Sequence, residues 1–331
     1  MSGRLATKAP PSERLIRVLP IGACVRRRSA FLRASLLLAF LGASLTAMAA
    51  ADIDALWEYD DPAVSEARFK SAITDARGDE RLELLTQIAR TYSLRGRFDD
   101  ANHALDDVAS ELANAGPRPH VRYLLERGRV FNSSGVPDRA RPFFVEAWGQ
   151  ARAADLDGLA VDAAHMVAIT HGGTEPAIDW NRKALDLARR STDPRARALI
   201  PALLNNTGWD LHDMGRYREA LPFFQEALKE WTARARPAQT RFARWSVARC
   251  LRSLDRFSEA LPMQLALERE DTARGKVDGY VLEELAELYE SLGQRTAARP
   301  YFARAADVLS KDEDFVKNEP ERLARLRSMG R

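Results

Sequence analysis

The stretch Leu204-Asn-Asn-Thr-Gly208-Trp-Asp-Leu211-His-Asp-Met-Gly215-Arg-Tyr217-Arg-Glu-Ala220-Leu-Pro-Phe-Phe224-Gln-Glu-Ala227-Leu228 decides the fold. It reads as two short helices joined by a glycine. Large, small and large residues (Leu204, Gly208, Leu211) recur at helical spacing, Gly215 interrupts them, and Tyr217, Ala220 and Phe224 open a second periodic run. The same landmarks return along the chain. The alanine of the second helix (helix B) appears as Ala101, Ala140, Ala177, Ala220, Ala260 and Ala298. The turn residue reads as Gly96, Gly135, Gly172, Gly215, Asp255 and Gly293. Glycine suits a chain leaving a helix through the left-handed region, and aspartate is one of the few substitutes that tolerate it. The small residue of the first helix (helix A) is Ala89, Gly128, Gly208, Ala248 and Ala286, with His165 the exception. Small side chains at these sites let two antiparallel helices approach closely, and large ones fill the space against the next pair. One pair cannot bury its own apolar face, so stacking supplies the core.

This unit resembles the tetratricopeptide repeat over its whole motif. The resemblance implies an all-α fold, a right-handed α-solenoid of stacked antiparallel helix pairs. Six repeats would span residues 81–309, with a partial repeat over 50–80 and a capping helix over 310–331. The landmark alanines lie 39, 37, 43, 40 and 38 residues apart, not about 34, which is similar to the longer repeats of kinesin light chains. Pro142, Pro222, Pro262 and Pro300 each follow a helix B alanine by two residues. Proline that far along should bend the helix, unless the helix starts late enough for the missing N–H to be a free end group. Asp61-Pro62 reads as a cap and first helical residue, and Asn318-Glu319-Pro320 opens a short terminal helix. With its aromatic, acidic opening Leu56-Trp57-Glu58-Tyr59-Asp60, the chain also resembles uncharacterised secreted tetratricopeptide proteins of Gram-negative bacteria. That resemblance implies a compartment and no activity.

The N-terminus reads as an export signal. Residues 26–33 are Arg-Arg-Arg-Ser-Ala-Phe-Leu-Arg, a largely apolar run follows from Ala34 to Ala47, and Ala47-Met48-Ala49 has the spacing a signal peptidase cuts. The run is shorter than the roughly 20 residues a spanning helix needs. The expected signal is residues 1–49, of the Sec type, with cleavage near Ala49 or Ala51 and a periplasmic or secreted product. The alternative is an uncleaved anchor, the one route by which this chain would touch a membrane. The basic region is long enough to suggest Val25 as the true start. Removing residues 1–49 takes away eight basic residues and one acidic residue, turning a net charge of +3 into −4. Nothing in that balance attracts phosphate backbones, so no nucleic-acid partner is expected. Cys250 is then the single remaining cysteine, which excludes an internal disulfide.

Sequence motifs for chemistry are absent: no metalloprotease His-Glu pair, no phosphate loop and no nucleophile elbow. His171-Gly172-Gly173 resembles a fragment of an oxyanion loop, but Gly172 is already the expected turn residue. His165 reads as a packed histidine, and Cys250 as a buried thiol unless Arg249 and Arg252 activate it at the surface. Neither a metal nor a cofactor is expected, and no catalysis.

The helix A positions pointing away from helix B are expected to line a concave groove. Its candidate binding residues are Arg90, Arg129, Asn205, Trp209, Trp245, Arg249, Glu283 and Glu287. The row runs from basic through aromatic to acidic, as expected of a scaffold that binds a protein or peptide. A structural adaptor using the convex face or termini is the second reading, and an enzyme acting on envelope material the third. Trp209 and Trp245 either anchor the partner or are covered by neighbouring helices. Glu283, Glu287 and Glu290 share one helix face and repel, so something should compensate. A divalent cation, a basic ligand segment and the preceding repeat are the three candidates. The third sets Arg249 beside Glu287 and Arg252 beside Glu290.

Overall fold

The structure is a computed structural model that describes residues 53–331. The segment read as a signal, with its cleavage site, lies outside the described residues. Those residues form two compact units, one ending at Leu156 and the other beginning at Asp157. The described secondary structure is helical throughout, with no strand.

In the first unit a single 3₁₀ turn (Ile53–Leu56) precedes α1 (Pro62–Ala72), whose N-terminus is capped by the Asp61 carboxylate. Two antiparallel pairs follow: α2 (Gly78–Leu94) with α3 (Phe98–Glu111), and α4 (Pro117–Ser133) with α5 (Pro137–Ala153). The second unit holds four pairs. These are α6 (Asp157–His171) with α7 (Glu175–Arg190), then α9 (Ile200–Asp213) with α10 (Tyr217–Ala233), led in by the short α8 (Pro194–Ala198). After them come α11 (Pro237–Ser253) with α12 (Phe257–Ala273), and α13 (Gly279–Ser291) with α14 (Arg295–Leu309). The chain ends in α15 (Glu313–Asn318) and α16 (Pro320–Met329). Within each unit, successive pairs stack helix against helix.

Five of the six turns use one device. Gly96, Gly135, Gly215, Asp255 and Gly293 adopt the left-handed conformation. The next residue donates its N–H back to the last turn of helix A, as Arg216 does to the Leu211 carbonyl at 2.9 Å. The third turn departs from the expected pattern, because Gly173 and not Gly172 takes the left-handed conformation. Here the next repeat supplies the bond: the Gly173 N–H donates to Asp210 Oδ1 at 2.9 Å, and Asn181 Nδ2 donates to Asp210 Oδ2 at 2.9 Å. A carboxylate borrowed from α9 has replaced the local backbone bond.

The helix B prolines do not sit at free helix ends. Pro142, Pro222, Pro262 and Pro300 are interior residues of α5, α10, α12 and α14. Each removes the bond to the carbonyl four residues back, on Asp138, Arg218, Ser258 and Thr296. All four of those residues are exposed, on the side of each helix where water can reach the freed carbonyls.

The landmark alanines form the spine of the core, all six buried. Against the glycines of helix A lie phenylalanines of helix B. A Cβ added at Gly128 would stand 2.5 Å from the Phe144 ring, and one at Gly208 would stand 2.7 Å from Phe224. The close helix approach read from the small residues is thus filled by a ring.

Candidate functional site

The expected groove residues fall in both units, and each group has its own surroundings. In the first unit, Arg90 on α2 and Arg129 on α4 converge on Glu126. Arg90 Nη1 is 3.4 Å and Arg129 Nη1 2.6 Å from Glu126 Oε1, and all three side chains are buried. Arg90 also lies over the Trp57 ring, 5.4 Å from its centroid.

In the second unit, Trp209 of α9 and Trp245 of α11 stack with ring centroids 5.8 Å apart. They are only 2% and 4% exposed and belong to the core cluster that holds Phe224 and Leu211. Neighbouring helices cover both rings, so neither stands on an open wall. Yet both indole Nε1 atoms, and Asn205 Oδ1 one turn before Trp209, are buried without a hydrogen-bond partner. An unmet buried polar group costs roughly 1–3 kcal/mol.

A polar chain continues from this pair. The Trp209 ring meets His212 edge-on at 5.1 Å, and His212 Nε2 lies 3.0 Å from Ser253 Oγ, which also accepts from Arg249 Nη1 at 2.7 Å. Burial pushes His212 down to about 2, and the positive charges of Arg249 and Arg252 push the same way, so the imidazole stays neutral. Arg249 Nε then reaches Glu284 Oε1 at 3.0 Å, and Arg252 grips the same carboxylate with Nε at 2.7 Å and Nη2 at 2.9 Å.

This pairing corrects the expected register. Arg249 and Arg252 meet Glu284, not Glu287 and Glu290. Helical side chains lean toward the N-terminus of their own helix, so a long arginine reaches a residue of the parallel neighbour nearer that end. The same offset joins Arg90 to Glu126. In both cases the arginine directly follows the small residue of one repeat, and the glutamate stands two before the small residue of the next. The other glutamates are answered by the terminal helix and by helix B of their own repeat. Arg322 of α16 holds Glu283 through two bonds of 2.7 Å, Arg325 of α16 bonds Glu287, and Arg295 lies 3.2 Å from Glu290. The candidate acidic end at Glu283 and Glu287 is therefore occupied by the chain's own terminal helix. Glu126, Ser253, Glu284, Arg322 and Arg325 were not singled out from sequence. The recurring offset of arginine and glutamate was the signal available for the first and third.

Cys250 is buried and donates to the Tyr217 carbonyl at 3.4 Å. Burial raises its thiol to about 12 in spite of Arg249 and Arg256, which leaves it unreactive. His165 is packed, with Nε2 2.7 Å from Asn206 Nδ2. Among the described residues no group of His, Cys, Asp or Glu is placed to hold a metal ion, and no helix is long and apolar enough to cross a membrane.

The family model described as "Tetratricopeptide repeat" matches residues 202–233, which are the helix pair α9–α10. Residues 202–233 are a tetratricopeptide repeat, and the described residues have the helical-pair fold of tetratricopeptide-repeat structures. No curated protein matches its sequence. Several solved structures share the fold. The structure of NprR in complex with its cognate peptide NprX aligns with a TM-score of 0.51 at 15% identity, over 80% of this chain and 78% of that one. The apo form of RapI gives 0.63 at 12%, over 77% and 73%. The tetratricopeptide-like repeats of a putative kinesin light chain from Podosopora anserina give 0.50 at 14%, over 60% and 99%.

Proposed function

We propose that this tetratricopeptide-repeat chain is an exported, non-catalytic scaffold that binds a protein or peptide along the A-helix face of residues 157–331, at Asn205, Trp209 and Trp245. The carrying observation is the pair of stacked indoles whose N–H groups, with Asn205 Oδ1, are buried without partners. A peptide main chain offers both the acceptors and the donor that these three atoms lack. Stacked repeats contact only their neighbours, so small rotations between pairs open such a face without unfolding it. NprR, a protein of the same fold, has been solved in complex with its cognate peptide NprX. The inert Cys250 thiol and the neutral, weakly basic His212 supply neither nucleophile nor general base.

Crosslinking in intact cells identifies the partner, and the affinity of substituted chains for it then tests the face. Trp209→Phe and Trp245→Phe keep the aromatic packing and delete the donor. Each should weaken binding by about 1 kcal/mol, close to five-fold. Unchanged affinity in both, with helicity intact, removes this face from the function. Export is tested separately: the protein from cell envelopes should start at Ala50 or Asp52 by mass, and an intact start on a cytosolic protein overturns that part of the reading.

A further inference from the structure

The first unit carries a second feature that the Trp209–Trp245 face does not explain. Residues 53–60 form only one 3₁₀ turn, yet they are laid across α2 and α4 by side chains far along the chain. The Trp57 indole N–H donates to Gln87 Oε1 at 3.1 Å, and Asp54 Oδ1 accepts from Arg122 Nη2 at 3.0 Å. Tyr59 stacks on Trp57 at 4.8 Å, nearly parallel, and Arg90 covers the indole. Burial pushes the Tyr59 hydroxyl up to about 12, with Arg90, Arg122 and Arg129 all close enough to pull against it. The strap is linked to the next helix at Ser65, whose Oγ accepts from the Glu58 N–H at 2.7 Å and bonds the Glu58 carbonyl at 2.9 Å, at Arg68, which reaches the Leu56 carbonyl at 3.4 Å and Glu58 at 3.6 Å, and at Phe69, which meets Trp57 edge-on at 5.0 Å.

Ile53 and Trp57 of the strap pack in one buried cluster with Phe69, Leu84 and Ile88, while the charged part of the surface pairs within the helices. Arg90 and Glu126 pair in the same offset as Arg249 and Glu284, where no such strap intervenes. It also has a donor to spare: Arg90 Nε is buried with no hydrogen-bond acceptor, and Arg122 Nε has only the Glu83 carboxylate at 3.5 Å. The strap answers with complementary chemistry, since residues 53–60 contain Asp54, Glu58 and Asp60, two aromatics and no basic residue. A short segment held chiefly by side chains opens at far lower cost than a helix of the stack.

We propose that the face formed by Gln87, Arg90 and Arg122 is a binding surface for acidic, aromatic segments of the pattern Asp-x-x-Trp-x-Tyr, and that residues 53–60 are its built-in, displaceable occupant. A partner carrying the pattern competes with the strap for one surface, and the tethered strap, at high effective concentration, sets the threshold.

The probe is a fluorescein-labelled synthetic peptide of residues 52–61, titrated into the full chain and its variants with anisotropy as the readout. Asp54→Asn with Tyr59→Ala weakens the strap's hold without truncating Trp57, so the peptide displaces it more readily, and should tighten peptide binding on the order of ten-fold. Adding Arg122→Glu should abolish that gain. A scrambled peptide of the same composition should bind at least about ten-fold more weakly. Trp57→Ala is the stronger release and is read only where circular dichroism stays helical; the milder double variant decides if it does not. Equal peptide affinity for the unsubstituted and loosened chains, equal binding of the scrambled peptide, or a gain that survives Arg122→Glu overturns the proposal.

Discussion

Glu284→Ala is expected to destabilise the protein by about 3–5 kcal/mol, because it removes the carboxylate that two mostly buried arginines share. Glu284 is 2% exposed. Burial by itself would raise its pKa, but Arg252 and Arg249 more than reverse this and hold the carboxyl below the usual carboxylate range. The unfolded side chain protonates near 4.5 and the folded one lower, so the stabilisation is complete above about 4.5 and disappears as pH falls through the folded value. The gap between wild type and variant should therefore be widest near neutrality and close in acid. The loss is also local in effect. Glu284 joins α11 to α13, and stacked repeats are stabilised by nearest-neighbour interfaces. Chemical denaturation should then show an early step belonging to α13–α16 before the remainder unfolds. A midpoint within error of wild type at pH 7 would contradict the assignment of Glu284 as the shared partner.

The repeat architecture was legible because its determinants are local. Ala101 through Ala298 at near-constant spacing, and a left-handed turn residue after each helix A, are properties of about thirty successive residues. The one misplaced turn, Gly173, was settled by Asp210, whose arrival depends on how α9 packs and not on the turn's own sequence. Register between repeats was less legible. Knowing that Arg249 and Glu287 occupy equal repeat positions does not say where a flexible guanidinium ends, and the lean of helical side chains moved the contact to Glu284. Burial was least legible. Trp209 and Trp245 stood at groove positions by count, but only packing reveals that their rings cover each other and leave their N–H groups unmet. Leu56-Trp57-Glu58-Tyr59-Asp60 was visible as an unusual opening. Its partners Gln87 and Arg122 lie too far along the chain for any spacing rule to find.

Phe224→Ala should cost about 3–5 kcal/mol, toward the upper end, and the reason lies on the facing helix. Phe224 is fully buried, meets Trp209 edge-on at 5.1 Å, and fills the space that Gly208 leaves open. With glycine opposite, no side chain can relax into the void. Gly208→Ala by itself should also destabilise, since its new methyl would stand 2.7 Å from the Phe224 ring. Overpacking of that kind costs about 1–3 kcal/mol. Against it stands a helix-propensity gain of about 1 kcal/mol for replacing glycine within α9. The two effects separate in the double variant. Once Phe224 is alanine the clash is gone, the methyl occupies part of the cavity and the propensity gain remains, so Gly208→Ala should become stabilising by about 1 kcal/mol. In the sixth repeat Ala286 and Phe302 occupy the same two positions and are buried in one cluster, so alanine there is compatible with the ring once the backbone adjusts. Urea midpoints for the four proteins of this cycle give the coupling directly. If Gly208→Ala costs the same with and without the Phe224 ring, the ring is not what keeps this position a glycine, and the close approach of α9 and α10 needs another cause.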